Sequence, residues 1–184
     1  MVEVVIVMMI MVTISGIILV SFTGLHEGTA VSRATRELAL ALRQAQNISL
    51  AVTQVDTQSG PKIPSAVGIR LSVGASAYLL FADLTRDNKY DPEVVSAYPD
   101  AKIGGERVFE GGARVGSLGY DDELGQSQTV ATVYIMFLAP DATILITDQD
   151  GSQIGDVLRA ELVSVSGGVK KTITVRTSGQ ISIR

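Results

Sequence analysis

The fold is decided by residues 4–22, which read VVIVMMIMVTISGIILVSF. Nearly every position in this stretch is Val, Ile, Met, Leu or Phe, and none carries a charge. About twenty consecutive apolar residues are enough for a helix that crosses a bilayer. No small-residue cleavage motif follows the run, unlike in a cleavable signal peptide. The run therefore predicts an apolar helix that needs lipid or other helices around it.

The helical pattern continues beyond the apolar run, with no proline before Pro61. Apolar side chains recur three or four positions apart, which marks one stripe along a helix. The stripe comprises Val31, Ala34, Leu38, Ala41, Leu42, Ala45, Ile48 and Val52. Residues 2–54 therefore predict one helix, about 80 Å long at the usual rise per residue. Its second half is expected to pack on a globular domain.

The remaining sequence predicts antiparallel β structure. Residues 53–65 are rich in Thr, Gln, Ser, Gly and Pro and indicate a loop. Short apolar segments with turns between them then indicate strands. These segments are residues 66–73, 77–82, 107–109, 113–118, 129–138, 143–147, 157–165, 171–175 and 180–183. Gly167-Gly168 and Ser178-Gly179 predict hairpin turns.

The expected fold class is therefore α+β: a long N-terminal helix of about 50 residues packed against a C-terminal antiparallel β-sheet domain. Residues 1–24 are expected to form the apolar half of the helix, a transmembrane segment or the core of a bundle of helices. Residues 25–54 form the amphipathic half, and residues 55–184 form a β-rich head.

Composition excludes several classes of function. The chain has 15 Lys and Arg against 19 Asp and Glu, so it lacks the basic footprint of a nucleic-acid-binding protein. It has no cysteine, which excludes disulfides and thiol chemistry, and a single histidine, His26, which lies beside the apolar run. No pair of carboxylates or glycine-rich loop has the setting of a catalytic site. We therefore expect a protein that is not an enzyme.

Glu3 is the acid at the edge of the apolar run. An ionisable group at membrane depth is costly, so it usually has a partner or a function. The alternative is that Glu3 lies at the headgroup boundary and does nothing further. The residues alone leave both interpretations open.

The N-terminus resembles the class III signature of type IV pilins and pseudopilins. Mature members typically begin Phe-Thr-Leu-Ile-Glu before a long apolar stretch, and Glu3 aligns with that glutamate. Residues 33–46, RATRELALALRQAQ, are similar to the second half of the helix in the GspH/FimT-like branch. Residues 173–183, ITVRTSGQISI, are similar to its closing strand pair.

This resemblance implies a structural subunit of an extracellular type IV pilus-like filament. It implies that the apolar helix is embedded in the membrane before assembly and then bundles with copies of itself. The expected partners are other pilins and the pilus assembly machinery. Glu3 would neutralise the N-terminal amine of a neighbouring subunit. Two alternatives stay open: a minor pseudopilin of a type II secretion-like machine, and a single-pass membrane-anchored β binding domain unrelated to pili.

No cofactor is required by this interpretation, but one loop predicts a calcium site. Oxygen-bearing residues alternate along residues 83–93, as in an EF-hand loop, and calcium prefers such hard oxygen ligands. Asn88 stands where that loop usually has glycine, and Asn tolerates the left-handed conformation. The alternative is an ordinary acidic turn whose charge is partly balanced by Arg86 and Lys89. The candidate ligands are Asp83, Thr85, Asp87, the Lys89 carbonyl, Asp91 and Glu93.

Overall fold

The computed structural model describes residues 2–57, 60–92, 99–122 and 125–184, except for the side chains of residues 19–25 in the helix. Helix α1 has the bounds Val2–Leu50. A 3-10 turn, Glu110–Gly112, precedes the sixth strand. The strands are β1 Val55–Thr57, β2 Gly60–Lys62, β3 Ala66–Ser72, β4 Ala77–Asp83, β5 Ala101–Val108, β6 Arg114–Asp121, β7 Ser127–Thr129, β8 Thr132–Leu138, β9 Thr143–Thr147, β10 Val157–Val163, β11 Lys170–Arg176 and β12 Ile181–Ile183.

These strands form two five-stranded antiparallel sheets and a separate hairpin, β1-β2. The terminal sheet has the order β12-β11-β10-β6-β7, and the central sheet has the order β5-β4-β3-β8-β9. The two predicted hairpin turns are confirmed. Gly167 joins β10 to β11 with φ 77°, and Gly179 joins β11 to β12 with φ 91°.

The terminal sheet has one buried face and one face open to water. Along β10, Leu158 and Leu162 are buried, while Arg159 lies on the opposite face. There the Arg159 guanidinium binds both carboxylate oxygens of Asp121, each at 2.6 Å. This alternation is typical of an antiparallel sheet that covers a core on one side.

The main core joins residues 26–50 of α1 to both sheets. The helical stripe Val31, Ala34, Leu38, Ala41, Leu42 and Ala45 is buried in the same apolar cluster as side chains from the two sheets. The Ser49 hydroxyl donates a hydrogen bond of 2.8 Å to the Phe137 carbonyl, which ties the end of the helix to β8. Val52, expected in the stripe, is 39% exposed, because the helix ends at Leu50 and not at residue 54.

The central sheet is apolar on both faces. Its outer face carries a second cluster: Ala66, Leu79, Phe81, Tyr134 and Met136. Gly68 makes this packing possible, since a Cβ there would lie 2.5 Å from both Met136 Sδ and Phe81 Cζ. The loop after β4 covers part of the cluster, with the Tyr90 ring centroid 5.2 Å from that of Phe81.

The fold class expected from the sequence is wrong in two respects. The helix does not pack on the sheets along its whole length: of its two described side-chain segments, 2–18 and 26–50, about 17 and 25 residues long, only the second contacts them. The β part is not one sheet but two sheets of five strands. The physical reason is that β3, β4 and β8 bury both of their faces. One helix covers part of one face, so a second sheet and a loop cover the rest.

Candidate functional site

Residues 2–18, here called the apolar segment, form an uncovered apolar surface. Thirteen large apolar side chains of this segment are between 49% and 73% exposed. Thr13 donates its hydroxyl to the Met9 carbonyl at 2.7 Å, so even this polar group is satisfied within the helix. Soluble monomers rarely expose contiguous apolar patches larger than a few hundred Å². The segment therefore needs lipid or other protein chains around it.

A membrane-spanning role for the apolar half of the helix was expected from the sequence. Within the part of the chain that the structure describes, no helix is both long and apolar enough to cross a membrane. Met1 and the side chains of residues 19–24, which belong to the expected half, lie outside the described residues.

Glu3 lies on the apolar segment and is exposed. It carries the one charge of residues 2–18. Among the described residues, none forms a hydrogen bond or an ion pair with its carboxylate. A carboxylate without a partner is stable in water but strongly unfavourable in an apolar bundle. Burying Glu3 with the segment therefore calls for a proton or a positive group beside its carboxylate.

A second candidate site is an acidic cluster where β4 ends and β5 begins. One carboxylate oxygen each from Asp83, Asp87 and Asp100 lie within 4.8 Å of one another. Asp83 is the last residue of β4, and Asp100 immediately precedes β5. Because β4 and β5 are antiparallel neighbours, these ends meet. Asp83 and Asp100 are buried.

The two buried carboxylates organise the loop between the strands. Asp83 accepts backbone N–H groups from Arg86 at 2.6 Å and Asn88 at 3.2 Å. Asp100 accepts them from Leu84 at 2.9 Å and Asp91 at 2.8 Å. Residues 84–91 are thereby held over the outer face of the central sheet.

Negative charge on the buried carboxylates of the cluster is unfavourable. Burial raises the pKa of Asp83 and Asp100 above the usual range, and nearby carboxylates add to the effect. The backbone N–H groups that Asp83 and Asp100 accept lower their pKa values and offset part of that rise. A proton or a divalent cation with oxygen ligands would relieve the repulsion.

Some of the predicted calcium ligands lie together at the cluster. Asp83 and Asp87 are in the cluster, and Asn88 has the left-handed φ of 60° expected for it. The Thr85 hydroxyl lies 3.3 Å from both Asp83 and Asp100, so it also faces the cluster. Glu93 lies outside the described residues.

Asp91 and Lys89 make contacts beside the cluster. The Asp91 carboxylate lies 3.7 Å from Lys89 Nζ, while its backbone N–H binds Asp100. The Lys89 backbone N–H lies 3.3 Å from an Asp87 carboxylate oxygen.

Asp100 is the cluster residue that the sequence reasoning missed. It lies 17 positions after Asp83, and the alternating pattern of the loop ends well before it. Only the pairing of β4 with β5 brings it close, and the strand predicted from the sequence began at residue 107, too far along to place Asp100 beside Asp83. With Asp100 included, calcium binding stays a prediction.

Two further acidic stretches of the sequence, residues 121–123 and 148–150, make local contacts. The Arg159 guanidinium that binds Asp121 lowers the pKa of this carboxyl, as expected for a surface ion pair. Asp148 accepts the backbone N–H groups of Asp150 and Ser152, which closes a turn. Glu123 lies outside the described residues.

Comparisons with protein-family models, with curated proteins and with solved structures found no match to this chain. Three points therefore stay predictions: the resemblance of the N-terminus to type IV pilins, the similarity to the GspH/FimT-like branch, and the implied role in a filament.

Proposed function

We propose that this chain is a structural subunit of an extracellular, type IV pilus-like filament, assembled by bundling of its apolar segments. The observation that carries the proposal is the uncovered apolar surface of residues 2–18, joined to a β head that has its own core. The head is complete without the segment, so the segment is free to bind outside the chain. Before assembly the segment is held by the membrane, and afterwards by copies of itself.

The free energy gained by burying the apolar segment supports association between chains. Burying an exposed large apolar side chain contributes about 1.5–3 kcal/mol. Thirteen such side chains, each roughly half to three-quarters exposed, contribute on the order of 10–20 kcal/mol. Association costs about 4–15 kcal/mol in lost motion, so bundling is favourable on balance in water.

Lipid tails would cover the same side chains equally well. The apolar surface alone therefore does not choose between membrane and filament. Glu3 favours the filament over the membrane, because its carboxylate has no positive partner among the lipid tails. A neighbouring subunit that offers a positive group removes that cost and fixes the axial register of the bundle.

The proposal is tested by Glu3→Ala in the full-length chain expressed in cells that assemble filaments. We expect filament yield to fall while the protein remains in the membrane fraction. The matched control is Glu106→Ala, which removes an exposed acid from the head and is expected to leave the yield unchanged. An unchanged yield for Glu3→Ala would refute the assembly role.

The same preparation separates the alternatives. A minor pseudopilin would appear as a single subunit or a small tip complex, and an unrelated membrane-anchored binding domain would remain monomeric. Many copies in helical symmetry are expected only of the filament subunit.

A further inference from the structure

A shallow apolar groove lies on the outside of helix α1, beside the edge strand β12. It encloses about 370 Å³ and is lined by Arg36, Ala39, Leu40, Arg43, Ile181 and Ile183. Leu40 is 67% exposed and Ile183 is 40% exposed. These side chains form a continuous apolar floor that the head itself does not cover.

The groove is bordered by positive charge. Arg36, Leu40 and Arg43 follow one another at spacings of four and three residues, so they share one stripe of the helix. Both arginines are exposed, and within the described residues neither has an acidic partner. Glu37, the nearest acid in sequence, accepts a hydrogen bond of 3.1 Å from the Tyr78 hydroxyl instead.

The apolar segment has the complementary pattern. Glu3, Val7 and Ile10 have the same spacings of four and three, so they too form one stripe. This stripe offers one carboxylate and then exposed apolar side chains. The groove offers guanidinium groups on either side of exposed apolar side chains.

We infer that the groove beside β12 binds the apolar segment of a second copy of this chain, with Glu3 paired to Arg36 or Arg43. This inference rests on the proposed function and names the positive partner of Glu3. It differs from the N-terminal amine that the pilin resemblance implies.

The dimensions of the groove decide how the segment lies. A helix about 10 Å across occupies roughly 420 Å³ per turn, more than the whole groove. The segment therefore lies along the groove and inserts its side chains. Groove and segment are different surfaces of one chain, so the contact is head-to-tail, and a head-to-tail contact that does not close into a ring builds a helical filament.

Cross-linking tests the contact directly, because the chain has no cysteine of its own. Filaments are assembled from the double variant Val7→Cys, Leu40→Cys and then oxidised. The control pair is Val7→Cys, Val108→Cys, since Val108 is 66% exposed on β5 and does not line the groove. Disulfides form only where Cα atoms approach within about 7 Å, so we expect at least about tenfold more linked multimers from the Leu40 pair.

Filaments that give equal or no cross-links from the two pairs would overturn this inference and leave the proposed function standing. A wild-type chain that forms no filaments would overturn the proposed function, and this inference with it.

A charge exchange tests the pairing separately. We expect Arg36→Glu with Arg43→Glu to lower filament yield at least about tenfold, and the further change Glu3→Arg to restore it. A yield unaffected by the two arginine changes would refute the pairing. So would a loss that Glu3→Arg does not reverse, provided the thermal unfolding of the head is unchanged.

Discussion

Leu38→Ala and Leu40→Ala separate the stability of the head from the assembly of the chain. The two leucines lie on the same helix, but Leu38 is 0% exposed and Leu40 is 67% exposed. Leu38→Ala removes the equivalent of about three methylene groups, or about 2.4 kcal/mol of transfer free energy. The residual cavity adds about 1–2 kcal/mol. We therefore expect Leu38→Ala to lower the free energy of unfolding by about 3–4 kcal/mol.

Leu40→Ala is expected to change the free energy of unfolding by less than about 0.5 kcal/mol, since it alters only an exposed position. Its effect should appear in filament yield, because it removes the floor of the groove.

The assay is urea unfolding of the full-length chain, kept monomeric in mild detergent, alongside filament yield for each variant. In a thermal scan, the loss at Leu38 corresponds to a fall in Tm of about 6–16 °C. Equal destabilisation by the two substitutions would refute the assignment of one face of the helix to the core and the other to assembly.

Three further predictions concern the head. Gly68→Ala is expected to lower the free energy of unfolding by about 1–3 kcal/mol, because the new methyl group overpacks the second cluster; Gly28→Ala, in open space on the helix, should instead raise it by up to about 1 kcal/mol. Both are measured by urea unfolding, and equal effects would contradict the packing described. Burial raises the pKa of Asp83 and Asp100, so the folded state binds their protons more tightly than the unfolded state does. With calcium chelated, the free energy of unfolding should therefore fall as pH rises from about 4 through the raised pKa values, by at most about 1.4 kcal/mol per pH unit for each proton. Unfolding curves at several pH values that show no such fall would contradict raised pKa values for Asp83 and Asp100. Calcium at a hundredfold excess over its Kd should stabilise the chain by about 2.7 kcal/mol, and Asp100→Ala should abolish this response while Asp121→Ala preserves it; thermal unfolding that does not respond to calcium would refute the site.

Local patterns in the sequence predicted much of the secondary structure. The stripe from Val31 to Ala45 was recognisable because helical periodicity depends only on neighbouring residues, and these side chains are buried as expected. The strand at residues 143–147 was predicted with its observed bounds. The hairpin β1-β2 was missed, because Gly, Pro and Ser in residues 53–65 obscured two strands of three residues each.

The sequence did not predict what depends on distant pairing. Two sheets form because β3 pairs with β8, with partner residues 60 to 72 positions apart, and β6 pairs with β10. No local pattern encodes those pairings. The same limit hid Asp100, whose role in the cluster follows from the pairing of β4 with β5.

The most direct test of the proposed function is an electron-microscopic image reconstruction of the native assemblies formed by the full-length chain. We predict fibres with helical symmetry, the apolar segments bundled along the axis and the β heads outside. The segment of one copy should lie beside Leu40 of another. Isolated membrane-anchored monomers, or fibres in which residues 2–18 lie on the surface, would contradict the proposed function.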